Sequence, residues 1–218
     1  MNLFDPCVRL VRRWRWSLLL ALLIAALLLE PLFGTSGIAS FASMLIFAFV
    51  LGGAVHIGRL PRRATAATIA LIAIWLVLQL PAASLNVSDL NGVRALVALA
   101  ILLAALIATF AELAAKRDSD TDALVGAIFG YFMIATAWAV FYLALEGWRP
   151  GAFTLIEGQD AWLQLRYFSL VTMTTLGYGD IVPLTPLGRI LAALQASVGT
   201  LYIAVLIGRI VGGSVRKR

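Results

Sequence analysis

Residues 160–180 read DAWLQLRYFSLVTMTTLGYGD, and this stretch decides the fold. A helix over residues 160–173 would be about 21 Å long, whereas crossing the hydrocarbon core takes about 20 residues or 30 Å. This helix therefore enters the membrane without crossing it. The non-helical backbone that follows, residues 174–180, is tolerated at membrane depth only where protein buries it or water lines it. The stretch predicts a re-entrant segment beside an aqueous path.

The rest of the chain supplies the membrane helices. Of 218 residues, 62% are hydrophobic and 13% are charged, and the mean hydropathy is +0.97, which excludes an ordinary soluble domain. We therefore predict an all-α transmembrane fold with a re-entrant pore helix. Its six membrane helices are expected at 16–33, 38–58, 64–81, 93–114, 122–145 and 187–211.

The distribution of Lys and Arg predicts the orientation. Most of the 17 basic residues fall in segments that share one side when the N-terminus is cytoplasmic, and short basic loops stay on that side. We expect a multi-pass cell-membrane protein with both termini cytoplasmic and Arg94, Arg149, Arg166 and Arg189 in or beside outer segments. The net charge of +6 then reflects orientation and contact with anionic lipids, not nucleic acid. The Ala- and Leu-rich composition, with Arg favoured over Lys, suggests a bacterial membrane.

The first span has two readings. It follows Arg12, Arg13 and Arg15, as the apolar part of a signal peptide would. However, the sequence Leu-Glu-Pro-Leu-Phe at residues 29–33 offers no small-residue cleavage site directly after it. We expect a retained membrane helix.

The seven residues Thr-Thr-Leu-Gly-Tyr-Gly-Asp at 174–180 resemble the signature of potassium channels, and residues 171–173 before them are similar as well. A dehydrating potassium ion needs oxygen ligands in place of its water shell, and backbone carbonyls can supply them. Carbonyls that all face one axis require alternating left- and right-handed residues, and glycine adopts the left-handed conformation without a Cβ penalty. This explains the spacing of Gly177 and Gly179.

The resemblance implies a homotetramer whose chains meet around one potassium-selective pore. The carbonyls of four consecutive residues and one hydroxyl would form the ion sites, and a second glycine would complete the filter. These residues are Thr175, Leu176, Gly177 and Tyr178, with the hydroxyl of Thr175, and Gly179. Permeant potassium ions are the only bound species that it implies, with no cofactor and no other metal.

Further residues are assigned by the same resemblance. Thr174 would support the filter from behind, and the Tyr178 ring would pack against the pore helix near Tyr167 and Phe168. Asp180 would lie at the outer mouth, where a ring of carboxylates concentrates cations. Val171 stands where family members often carry an acidic partner, which argues against acid-coupled inactivation of the filter.

The last helix carries the remaining candidates. Gly199 lies 22 positions after Gly177, which matches the hinge glycine of many potassium channels, but a small residue also permits close helix packing. Both roles stay open. Helical spacing places Thr200, Ile203 and Ile207 near one face, which by resemblance lines the cavity and the lower pore.

The sequence divides into an N-terminal four-helix membrane domain, 1–120, and a pore domain, 121–218. Six helices with the pore last resemble the voltage-gated architecture, but a voltage sensor needs several basic residues along its fourth helix. Here the next basic residue after Arg94 is Lys116. We therefore expect little intrinsic voltage dependence.

Four alternatives stand beside this reading. A non-selective cation channel or an accessory pore subunit would use the same fold. A potassium uptake transporter would carry four unlike pore repeats in one chain, whereas this chain has one. An enzyme is not expected, because the sequence contains no HExxH, no GxSxG and no second histidine besides His56.

Overall fold

The computed structural model describes residues 14–34, 37–58, 60–79, 90–115 and 121–215. These residues form helices and no strand, and six of the helices are long and apolar enough to cross a membrane. The predicted all-α transmembrane class and the six spans are confirmed to within a few residues. The helices are α1 Arg15–Phe33, α2 Gly37–Ile57, α3 Arg62–Gln79, α4 Leu90–Ala115, α5 Thr121–Trp148, α6 Ala161–Met173 and α7 Pro186–Val215.

Local chemistry explains several helix ends. Pro31 lies in the last turn of α1, and Gly34 follows the helix with φ of 77°, a conformation that glycine adopts without strain. The pore helix α6 begins at an N-cap, because the side chain of Asp160 accepts a 3.0 Å hydrogen bond from the backbone N–H of Leu163.

Two of the N-terminal helices pack against helix α5, which precedes the predicted pore helix. Helix α5 packs against α1, α4, α6 and α7, and α2 joins α1 to α4. The main apolar cluster includes Trp16 of α1, Leu102 of α4, and Phe129 and Met133 of α5, all fully buried or nearly so. Helices α1 and α4 therefore contact α5 directly, whereas α2 and α3 pack against the other N-terminal helices. The proposed domain boundary at residue 120 stays a prediction.

Ionic contacts join the start of α1 to the end of α4 and the start of α5. Nη2 of Arg15 on α1 lies 2.5 Å from Oε1 of Glu112 on α4, and Nε of Arg15 lies 3.8 Å from Oδ2 of Asp122 on α5. This one guanidinium therefore bridges three helices. Several of the basic residues from which the membrane orientation was predicted lie outside the described part of the chain. They include Arg12, Arg13, Lys116, Arg117 and residues 216–218.

Candidate functional site: the pore loop

Hydrogen bonds to the preceding loop hold the first turns of the pore helix α6 in place. The amide of Gln164 accepts a 2.7 Å bond from the N–H of Ile156 and donates a 3.1 Å bond to the carbonyl of the same residue. With the Asp160 cap, this fixes the start of the helix. The short apolar helix predicted at 160–173 is therefore confirmed as Ala161–Met173.

An aromatic cluster packs behind the pore helix. The ring of Phe168 lies 5.2 Å from that of Tyr142 on α5 and 5.3 Å from that of Phe153, measured between ring centroids, and all three side chains are buried. Phe168 thus packs against the outer helix of its own chain, in which the Tyr178 side chain is 68% exposed. The packing of the Tyr178 ring near Tyr167 and Phe168 stays a prediction.

The filter backbone alternates in handedness. Thr175, Gly177 and Gly179 have φ of 59°, 54° and 81°, whereas the intervening Leu176 and Tyr178 are not in the positive-φ region. The alternation expected from the two glycines is present. The sequence did not reveal the left-handed Thr175, since a β-branched residue disfavours that conformation.

Hydrogen bonds hold the lower filter against the end of α6. The N–H groups of Leu176 and Gly177 both donate to the carbonyl of Val171, at 3.0 and 3.4 Å, and that of Thr175 donates to Thr172 at 3.0 Å. The hydroxyl of Thr174 also donates to the Val171 carbonyl, at 3.1 Å. Among the described residues none donates to the carbonyls of 175–179, so these oxygens remain available as ligands.

A direct contact joins the pore helix to Asp180 at the end of the filter. The Tyr167 hydroxyl donates a 2.7 Å bond to Oδ2 of Asp180, and Oδ1 of Asp180 accepts a 3.0 Å bond from the N–H of Ile181. The Tyr167 bond, together with that from Ile181, lowers the pKa of the Asp180 carboxyl below its ordinary value. Asp180 therefore carries its charge at neutral pH.

The segment after the filter is clipped to the loop before the pore helix. The N–H of Thr154 donates to the carbonyl of Val182 at 3.0 Å, and the N–H of Leu184 donates to the carbonyl of Ala152 at 2.8 Å. Glu146 at the end of α5 accepts from the N–H of Phe153 at 3.1 Å. These bonds tie the segment after the filter, through the loop before the pore helix, to the end of α5.

An open depression of about 450 Å³ lies between Thr175, at the start of the filter, and helix α7. Its lining includes the predicted Thr175 and Thr200 together with Ala196, Ser197 and Leu201, which the sequence did not single out. Ile203 and Ile207 are 42% and 55% exposed on α7 but do not line this depression. Their assignment to the lower pore stays a prediction.

Gly199 faces the pore helix. A Cβ at this position would lie 2.1 Å from the carbonyl oxygen of Met173, far inside van der Waals contact, so only glycine permits this approach of α7 to α6. Of the two roles left open for Gly199, the structure shows the packing role. The hinge role stays a prediction.

The match to a family model falls on this same region. The family model described as "Ion channel" matches residues 126–212, and significant matches to curated proteins carry potassium channel names. Residues 126–212 are therefore an ion-channel region, in a chain that is similar to potassium channels. No solved structure matches it significantly.

Three relatives illustrate how local the similarity is. Potassium voltage-gated channel protein shk-1 of Caenorhabditis elegans is 38% identical over 78 residues, 34% of this chain and 13% of the relative. Inward rectifier potassium channel Kirbac3.1 of Paramagnetospirillum magnetotacticum is 40% identical over 83 residues, 36% of this chain and 25% of the relative. Voltage-gated potassium channel regulatory subunit KCNF1 of Rattus norvegicus is 44% identical over 50 residues, 23% of this chain and 10% of the relative. The chain thus spans only a small part of each relative's length.

The sequence did not single out two buried polar residues of this chain. Gln195 of α7 is fully buried and Arg166 of α6 is 6% exposed, although Arg166 was expected in or beside an outer segment. Polar residues inside membrane helices are costly, so each usually has a defined partner. Gln195 as the single amide of the apolar helix α7 was a signal that could have found it.

Proposed function

We propose that this chain is the subunit of a homotetrameric, potassium-selective channel that conducts ions passively. The single observation that carries the proposal is the backbone of residues 175–179. Left-handed residues recur at every second position, the lower N–H groups are used by α6, and the carbonyl oxygens are left to replace the water shell of a potassium ion.

Electrostatics at both ends of the filter favours cations. The C-terminal end of α6 lies at Met173, beside the depression lined by Thr175, and a helix C-terminus carries partial negative charge. At the outer end, the ionised Asp180 would contribute one carboxylate per subunit. An ion path with negative potential at both ends attracts potassium and repels anions.

Exposed apolar surface supports assembly. In the single chain the filter residues Leu176 and Tyr178 are 56% and 68% exposed, and α7 exposes Leu194, Leu201 and Val205. Large exposed apolar surfaces mark protein or lipid contacts. A four-fold arrangement would bury the filter side chains against neighbouring subunits and leave the outer helices to lipid, with both termini cytoplasmic in a bacterial membrane.

The fourth helix supports weak voltage dependence. Arg94 is the single basic residue within α4, and Glu112 near its other end pairs with Arg15. Moving one charge through 100 mV supplies about 2.3 kcal/mol, so steep gating needs several charges per subunit. The proposed channel therefore opens with little dependence on voltage.

Potassium flux into liposomes that hold the purified protein tests the proposal, with sodium as the competing ion. The filter variant is Gly177→Asp, which places a side chain at a left-handed position. Its matched control is Gly147→Asp, at an exposed glycine where an added Cβ meets nothing within 4 Å. We expect selective potassium flux in the wild type and the control and none in Gly177→Asp. Equal sodium and potassium flux in the wild type would instead indicate a non-selective cation channel.

A second candidate function is an accessory pore subunit. It is favoured by one observation, the match to a relative that is named a regulatory subunit. An accessory subunit would give no flux as a homomer but would alter the current of a co-expressed potassium channel. The same liposome measurement separates the two, because the proposed homotetramer conducts alone.

A further inference from the structure

A buried ion pair joins the first helix to the pore helix. Nη1 of Arg166 on α6 lies 3.2 Å from Oε2 of Glu30 on α1, and the two residues are 6% and 9% exposed. Taking two charges into an apolar interior is costly, and the cost is repaid only by good geometry and additional hydrogen bonds. Whether this buried pair is stabilised therefore depends on the other contacts of Arg166.

Helix α1 supplies a second acceptor that its own sequence creates. Pro31 lies inside α1 and has no backbone N–H, so the carbonyl of Leu27, four residues earlier, lacks its usual intrahelical donor. Nη2 of Arg166 donates a 3.0 Å hydrogen bond to this carbonyl. The Glu30 carboxylate and the Leu27 carbonyl that Pro31 leaves free together bind one guanidinium.

The guanidinium is also fixed from the pore helix itself. Its central carbon lies 5.6 Å from the ring centroid of Trp162, one turn earlier on α6, which is a cation–π distance. The planar fork of arginine thus has two acceptors on α1 and an aromatic face on α6. Lysine could not satisfy both acceptors in this way.

Arg166 lies close to the filter along a rigid helix. Val171, whose carbonyl accepts the N–H groups of Leu176 and Gly177, follows five positions later, about 7.5 Å along the helix axis. A displacement of α6 at Arg166 would therefore move the acceptor that holds the lower filter. The adjacent face of α6 is fixed by the 2.6 Å bond from the Ser169 hydroxyl, three positions after Arg166, to the carbonyl of Ala135 on α5.

From these contacts we infer that Glu30 and the Leu27 carbonyl of α1 are positioning groups for the selectivity filter, acting through Arg166 on the placement of the pore helix. The inference rests on the proposed function and adds a role for the first helix within it. It also requires that α1 be retained in the mature protein.

The test is a double-mutant cycle in the full-length tetramer, with Glu30→Met, Arg166→Met and the double variant. Each single variant leaves one charge buried without its partner, so a lower melting temperature of the tetramer is expected. The double variant removes both charges and is expected to recover the melting temperature. Its potassium-to-sodium permeability ratio should nevertheless stay about 2- to 30-fold below wild type, the range for residues that couple to a site without touching it.

Two further variants sharpen the cycle. Arg166→Lys keeps the charge but reaches one acceptor, so it should assemble normally with an intermediate permeability ratio even if a single Met variant does not assemble. Arg149→Met, at an exposed loop position, is the matched control and should equal wild type in both measurements. If the double variant and the Arg166→Lys variant both keep the wild-type permeability ratio, the pair is structural only and the inference is overturned.

A second measurement separates this inference from the proposed function. The rise in melting temperature of the tetramer in potassium over sodium reports ion binding to the filter without requiring an open gate. A wild-type protein with neither potassium-specific stabilisation nor selective flux contradicts the proposed function itself. A wild-type protein with both, matched by the double variant, contradicts the positioning role alone.

Discussion

The hydroxyl of Tyr142 on α5 donates a 2.7 Å hydrogen bond to Oε1 of Gln195 on α7, and both side chains are fully buried. Nε2 of Gln195 donates in turn to the hydroxyl and the carbonyl of Ser169 on α6, at 2.7 and 3.0 Å. The three helices around the filter are thus joined by one fully paired polar network. Such networks specify a unique arrangement when every member is satisfied.

Gln195→Leu should destabilise the pore. The substitution leaves the Tyr142 hydroxyl without its acceptor and removes the donor to Ser169, and a buried unsatisfied polar group costs about 1–3 kcal/mol. We expect a clear fall in the melting temperature of the tetramer. Gln159→Leu, at an exposed loop position, is the matched control, and equal melting temperatures for the two variants would argue against the network.

Gly199→Ala should separate α7 from α6. The added Cβ would lie 2.1 Å from the Met173 carbonyl, and relieving such overpacking costs about 1–3 kcal/mol. Gly208→Ala, on the same helix with nothing within 4 Å, should instead be neutral or stabilising. Thermal unfolding of the two variants tests this. If Gly199→Ala alters channel opening but leaves stability unchanged, the hinge role applies and the packing role is wrong.

External acid should reduce the current through protonation of Asp180. Because the bond from Tyr167 lowers the pKa of Asp180 below its ordinary value, the carboxylate stays charged down to more acidic pH and its contribution is lost only as pH falls through the lowered pKa. Tyr167→Phe removes that bond, so its current should begin to fall at higher pH.

Currents recorded while the external pH is lowered from neutral to about 3, below the ordinary Asp pKa of about 3.9, check this prediction. Asp180→Asn serves as the control, since it removes the titrating group and should flatten the profile. Superimposable profiles for the wild type and Tyr167→Phe would contradict the assignment of Tyr167 as the hydrogen-bond partner that sets this pKa.

Channel opening should respond only weakly to voltage. Helix α4 carries Arg94 as its one basic residue, and a single charge supplies about 2.3 kcal/mol per 100 mV. Open probability measured across a wide voltage range in planar bilayers should therefore change gradually. A steep rise over a few tens of millivolts would require gating charges that α4 does not carry.

The sequence predicted those features that depend on composition along the chain. The spans followed from apolar length, and the pore loop followed from a helix too short to cross the membrane and a glycine-containing motif. It did not predict contacts between residues far apart. Glu30 and Arg166 are separated by 136 positions. The sequence alone does not show that they pair, because only the packing of the helices brings them together.

Side-chain direction was equally hidden from the sequence. Phe168 follows Tyr167 in the chain, yet it turns toward Tyr142 and Phe153 while Tyr167 turns toward Asp180. Adjacent residues of a helix point about 100° apart, so the pattern of two aromatic residues could not reveal which one faces the filter. The left-handed Thr175 was hidden because its own propensity opposes that conformation and the surrounding hydrogen bonds impose it.

The reversal potential of the purified tetramer in a planar bilayer, with potassium on one side and sodium on the other, tests the central claim most directly. If the carbonyls of residues 175–178 select potassium, the potential should lie far toward the potassium equilibrium value in the wild type and in Gly147→Asp. A reversal potential near zero in the wild type, with measurable current, would show that the pore does not discriminate the two ions and would contradict the account.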